Sequence, residues 1–213
     1  MKNKFLRVKV QGYLMFAPFT ALLILLSIVA HGKPVPISDD EDLVGVGITG
    51  VQHIGDNFSI SEFYVNGNWA GNVGREGGGG GTVCCVMLPL KWNPKLTAEI
   101  RWSVADWSNE NERETKAGNY RSIVWTNYKA VVPIEKYERA DDLYVHFFSN
   151  GKVRAVSTMF GTDGHRHPIQ RHDPKAAGSA TPGHLIDSIF TELELAEIIK
   201  RNDAEKSERG SWK

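Results

Sequence analysis

Cysteine is nearly absent from this sequence: 213 residues contain two, Cys84 and Cys85, and they are adjacent. A framework of several disulfides is therefore excluded as the source of its stability. Net charge is absent as well. The 25 Lys and Arg balance the 25 Asp and Glu, which leaves no overall cationic surface for general nucleic-acid binding. Common catalytic signatures are missing too. There is no Gly-x-Ser-x-Gly elbow, and the five glycines Gly77 to Gly81 are not followed by Gly-Lys-Ser/Thr, so the loop is a flexible surface segment and not a phosphate cradle. Glu99 and Asp106 stand seven apart on one strand and hence on opposite faces, which argues against a carboxylate pair. Long-period repeats are lacking, and only one apolar run is long enough to span a bilayer.

That run is at the front. Residues 1–32 carry Lys2, Lys4, Arg7 and Lys9, no acidic residue, and then the 18 apolar-dominated positions Tyr13 to Ala30. A cationic start before an apolar stretch is the pattern of a secretory signal, and Ala30-His31-Gly32 offers small residues for cleavage before Lys33. The length also suits an uncleaved anchor with its cationic end in the cytoplasm. Either way the expected location is the periplasm, soluble after cleavage or tethered to the inner membrane by residues 13–30. Membrane contact is expected through this segment alone. The remaining 181 residues are mildly acidic, with 21 basic against 25 acidic side chains.

Residues 33–42, rich in Pro and Asp, read as a linker. From 43 to 160 the hydrophobic period is two. Val44, Val46 and Ile48 alternate with Gly45, Gly47 and Thr49; Ala98, Ile100, Trp102 and Val104 alternate with Glu99, Arg101 and Ser103, a half-buried strand with one wet side. Asn66-Gly67 and Asn150-Gly151, each between apolar runs, predict two tight hairpins, since both turn positions tolerate positive φ. Another strand is expected to end at Pro133. Residues 109–119 read as a charged loop and 161–184 as a loop rich in His, Pro and Gly. Over 185–208 the period changes to that of an amphipathic helix, with Leu185, Ile189, Leu193 and Ala196 on one face and Thr181-Pro182 at its start. The fold class is thus mainly β, an antiparallel sheet or small sandwich, with a C-terminal amphipathic helix packed on the sheet.

The vicinal cysteines are read as one packed in the core and the other on the far face. Neighbouring strand side chains point to opposite faces, and adjacent Cα atoms sit closer than the disulfide norm. The densest chemical cluster is His165, His167 and His172 with Asp173, which fits either a solvent-facing loop or a metal site. His146, between Val145 and Phe147, reads as a hydrogen-bonded strand residue. No cofactor is implied.

An ordered series of residues resembles one bacterial family, catalogued as domain of unknown function 3304. It runs through Val65-Asn66-Gly67, Cys84-Cys85-Val86, Pro89, Trp92, Pro94, Leu96, Arg101 and Trp102, then Val132-Pro133 and Tyr137. Leu143-Tyr144-Val145-His146-Phe147, Gly151, Val153, Arg154 and His167-Pro168 complete it, so the likeness spans about 44–168. The resemblance implies an envelope protein. Many members stand beside genes for phospholipase toxins of the type VI secretion system, which implies a periplasmic immunity protein whose partner is a lipase toxin. This chain lacks the lipobox cysteine of lipoprotein members. Since the family has no established catalytic residues, the expectation is a binding protein and not an enzyme. The alternatives are a metal-binding envelope protein or hydrolase using His165, His167 and His172, and a structural assembly factor of the envelope.

Overall fold

The computed structural model describes residues 42–75, 77, 81–171, 173 and 175–210. The expected signal at 1–32, most of the linker, most of the five-glycine run and His172 lie outside the described residues. Among the described residues no helix is long and apolar enough to cross a membrane.

Two five-stranded sheets face each other. The strands are β1 (Leu43–Gln52), β2 (Phe58–Val65), β3 (Asn68–Val73), β4 (Val83–Pro89), β5 (Thr97–Asp106), β6 (Val124–Pro133), β7 (Leu143–Phe148), β8 (Lys152–Ser157), β9 (Thr181–Pro182) and β10 (His184–Ile186). The first sheet runs β4-β1-β7-β8-β9, the second β10-β6-β5-β2-β3. Pairing is antiparallel throughout except between β1 and β7, where Ile48 faces Leu143 and Gln52 faces Phe147 in parallel register. The fold is a mainly β sandwich, as the period-two segments require.

Both Asn-Gly hairpins form. Asn66 and Gly67 have φ of 51° and 79°, and Asn150 and Gly151 have 61° and 63°, so both turns take left-handed values at the two central positions. Asn66 also ties its turn to β5, with Oδ1 accepting the Glu99 N–H at 2.9 Å.

Alternate residues meet between the sheets. Ile48, Leu143, Val145 and Phe147 from one side pack with Phe63, Ile100, Trp102, Ala130 and Val132 from the other. Phe147 is the central ring, 5.3 Å from Phe63 and 5.7 Å from Trp102. Gly50 permits this closeness, because a Cβ there would lie 2.6 Å from Val73 and 2.8 Å from Phe63. Core burial of this kind, at about 25 cal/mol per Å² of apolar surface, is the main driving force for the sandwich.

The structure departs from the sequence reading in three places. The C-terminal helix α2 (Glu192–Gly210) begins seven residues later than expected, because 181–182 and 184–186 are strands. Its cap is Thr191, which accepts the Glu194 N–H while the Glu194 carboxylate accepts the Thr191 N–H, a capping box in place of Thr181-Pro182. The charged 109–119 segment contains a short helix, α1 (Glu112–Lys116), capped by Asn111. Cys84 and Cys85 are both exposed and joined in a vicinal disulfide across a cis peptide. The expected in-and-out arrangement fails because β4 is bulged here: Val46 pairs with Val86 and Gly47 with Cys84, which leaves Cys85 as the extra residue and breaks strand alternation.

Candidate functional site

Each sheet has an outer face, and each outer face is covered by chain that follows β8. On the first sheet, Tyr144, His146 and Phe148 of β7 point away from the sandwich core. The 158–180 loop folds over them, and Ile169 and Ala176 pack with Phe148 and Val156 in a second apolar cluster. His146 is fully buried beneath this cover.

His146 is not alone. His53, the residue after β1, reaches it because parallel pairing sets Val51 beside His146. His53 Nε2 lies 2.8 Å from His146 Nδ1, and His146 Nε2 lies 3.0 Å from His167 Nε2. The outer nitrogens end on backbone carbonyls: His53 Nδ1 on Arg171 O at 3.2 Å, His167 Nδ1 on Phe160 O at 2.7 Å. Three imidazoles thus form a continuous hydrogen-bonded chain from the end of β1, through β7, into the covering loop. His53 stacks on Phe148 with centroids 4.7 Å apart, and Tyr144 meets His167 edge-on at 4.8 Å.

Carbonyl oxygens only accept, so His53 and His167 carry protons on Nδ1. All three rings are held below the ordinary histidine value, by burial above all, and His146 is held well below it. Arg154 of β8, opposite His146, adds cationic repulsion. Its guanidinium is itself occupied: Nε and Nη2 donate to Glu135 at 2.6 and 2.9 Å, and Nη1 donates to Ala176 O at 2.7 Å, fastening the cover a second time.

The second sheet is covered by residues 187–194. The expected wet side of β5 is in fact enclosed, and Arg101 on it is only 7% exposed. Its Nε donates to Glu99 at 2.7 Å, Nη1 donates to Ile189 O at 2.8 Å, and Nη1 and Nη2 grip the Glu194 carboxylate at 3.0 and 2.7 Å. Phe190 lies beneath the guanidinium at 4.8 Å and packs edge-on against Tyr64. Lys129 Nζ completes the cluster at 2.9 Å from Glu99. The Arg101 hydrogen bonds hold the Glu194 carboxyl down to about 2. Burial and the neighbouring Glu62 push the Tyr64 phenol up to about 12.

Of the expected histidine cluster, His165 is exposed, whereas His167 is buried with both ring nitrogens engaged, so this part of the loop does not face solvent. Among the described residues no group of three or more His, Cys, Asp or Glu side chains is placed to hold a metal ion. His53 was not singled out from the sequence, because nothing there reveals that β1 and β7 are neighbours. The remaining motif residues hold the frame. Trp92 Nε1 donates to Ile134 O at 2.8 Å, the Tyr137 hydroxyl donates to Pro89 O at 2.6 Å, Pro94 sits exposed in a turn, and Trp102 stacks on Tyr128 in the core.

Residues 55–155 match the family described as Protein of unknown function (DUF3304). This segment belongs to that family. Arg101, Trp102, His146 and Arg154 lie within the DUF3304 segment, while His53, His167, Ile189 and Glu194 lie outside it. No curated protein and no solved structure matches the chain. The DUF3304 segment therefore supplies His146 and Arg154 under the first cover and Arg101 under the second, and the flanking chain adds His53, His167, Ile189 and Glu194.

Proposed function

We propose that this chain is a non-enzymatic binding protein of the bacterial envelope, an immunity protein that occludes a secreted phospholipase-type toxin in the periplasm. The observation that carries the reading is the surface of α2. Arg101 fixes the first turn of the helix to the sandwich, yet Leu195 and Ile199, one turn apart, are 45% and 60% exposed. Contiguous exposed apolar side chains on a rigid frame are the mark of a docking surface. An enzyme that takes acyl chains from a membrane must present an apolar mouth, and exposed leucine and isoleucine side chains on a helix are a complement to it. Blocking it needs a patch of roughly 800 Å² per partner and no chemistry. The signal-like front end and the genomic company that the family resemblance implies favour the same location and partner.

Co-expression with a phospholipase-type toxin in the periplasm tests this. The intact chain is expected to prevent lysis, and the double variant Leu195→Asp, Ile199→Asp is expected to lose protection at unchanged abundance. Lysis despite abundant folded protein would reject the reading.

A further inference from the structure

The histidine chain under the first cover is one proton short. Its four contacts, carbonyl to His53, His53 to His146, His146 to His167 and His167 to carbonyl, each need one proton between two heavy atoms. The carbonyls contribute none, and three neutral imidazoles carry three. In the neutral state one contact always sets lone pair against lone pair. We propose that the His53–His146–His167 chain is a one-proton site, which takes a single proton from solvent, shares it across the three rings, and thereby completes every hydrogen bond fastening residues 160–171 to the first sheet.

The missing charge is a proton and not a metal ion. Zinc at about 2.0–2.1 Å from each imidazole would hold ligand nitrogens at least about 3.3 Å apart, wider than either N···N separation. Capacity stops at one, because a second proton would set N–H against N–H at some contact. The groups that face the rings make uptake demanding. Arg154 from β8, neutralised by Glu135, and Arg171 from the loop are cationic, and Tyr144 from β7 is neutral. Among the described residues no carboxylate bonds to any of the three rings. Burial and these cations place uptake on the acid side of the ordinary histidine value, so the site responds to acidification. Arg171, whose carbonyl ends the chain, also lines an open cleft of about 530 Å³ with Thr162, Asp163, Gln170 and Asp173.

The test follows the ring nitrogens of histidine-labelled full-length protein by NMR as pH is lowered from 8. His53, His146 and His167 are expected to shift together in one step that corresponds to one proton. Direct ¹⁵N–¹⁵N coupling should be seen at both ring-to-ring contacts below the step. The variant His53→Phe removes two contacts and one proton source, leaving two contacts for two protons; its ring can keep the stack on Phe148. It is expected to lose the shared step. Separate steps for the three rings, or undiminished uptake in His53→Phe, would overturn the proposal. Should that variant not fold, the coupling measurement on the unaltered protein decides alone: coupling at only one contact at every pH refutes it.

Discussion

The two outer faces of the sandwich solve one problem by different means. Each covers a sheet with irregular chain, and each uses a strand arginine that donates to a carbonyl of the cover, Arg154 to Ala176 O and Arg101 to Ile189 O. Over the second sheet the fastening is ionic, with Arg101 between two carboxylates. Over the first it adds a chain of buried neutral imidazoles. Ion pairs of this strength persist until their carboxylates are protonated, whereas buried imidazoles are disturbed at much milder acidity. The molecule thus carries one acid-tolerant and one acid-sensitive cover on a common frame.

The largest effect that separates them is expected from pH. The three rings sit below the ordinary value near 6.5 in the folded state, so the unfolded chain binds more protons in acid. Their contribution is complete above that value and is lost as pH falls beneath it. If the folded chain accepts one proton and the unfolded chain three, stability falls by about 2–3 kcal/mol per pH unit at its steepest. Glu194, held to about 2, loses its contribution only as pH falls from the usual range near 4 toward that value. Hydrogen exchange at pH 5, corrected for intrinsic rates, should show residues 158–171 opening while 187–194 stay protected, because the opened loop frees three imidazoles to take a proton each and the closed chain holds only one. Simultaneous opening would break the comparison.

Arg101→Ala should follow, at about 2–4 kcal/mol in denaturant unfolding, since it leaves Glu194 without its cation and Glu99 with Lys129 alone. Protection should be lost in 187–199 and kept in 158–180. Arg154→Ala is expected to cost less, about 1–2 kcal/mol, because Arg154 is more exposed than Arg101 and holds one carboxylate instead of two, and because the histidine chain still holds the loop. Its opening should be confined to the neighbourhood of Ala176. The smallest effect is expected from Thr191→Ala, about 1 kcal/mol, read as helix loss by circular dichroism at unchanged sheet signal.

The strands, both hairpins and the mainly β class were legible because period two and Asn-Gly turns are local signals. The late start of α2 was hidden by a coincidence of spacing: Leu185 and Leu193 suggest one helical face, yet both are among the most exposed apolar residues and belong to a strand and a helix separately. A better local cue was present in Thr191-x-x-Glu194. The bulge at Cys85 left no mark in the residues. The histidine chain was half legible. His146 and His167 drew attention as individual residues, but their meeting with His53 depends on parallel pairing across 95 positions, which no short window contains. The burial of Arg101 was missed likewise, since Glu99-Arg101-Ser103 looks wet until residues 187–194 arrive from the far end of the chain.

That same parallel pairing bears on how the molecule comes into being. β1 sits inside its sheet between β4 and β7, so one edge is satisfied early by a nearby strand while the other waits for residues synthesised much later. Until Leu143–Phe148 emerge, the Gly47-to-Gln52 edge offers open backbone to any passing strand, and closing so distant a contact is slow. A nascent chain halted before residue 143 should therefore be sticky and in need of a chaperone, and one long enough for Lys152–Ser157 to pair on β7 as well should be much less so.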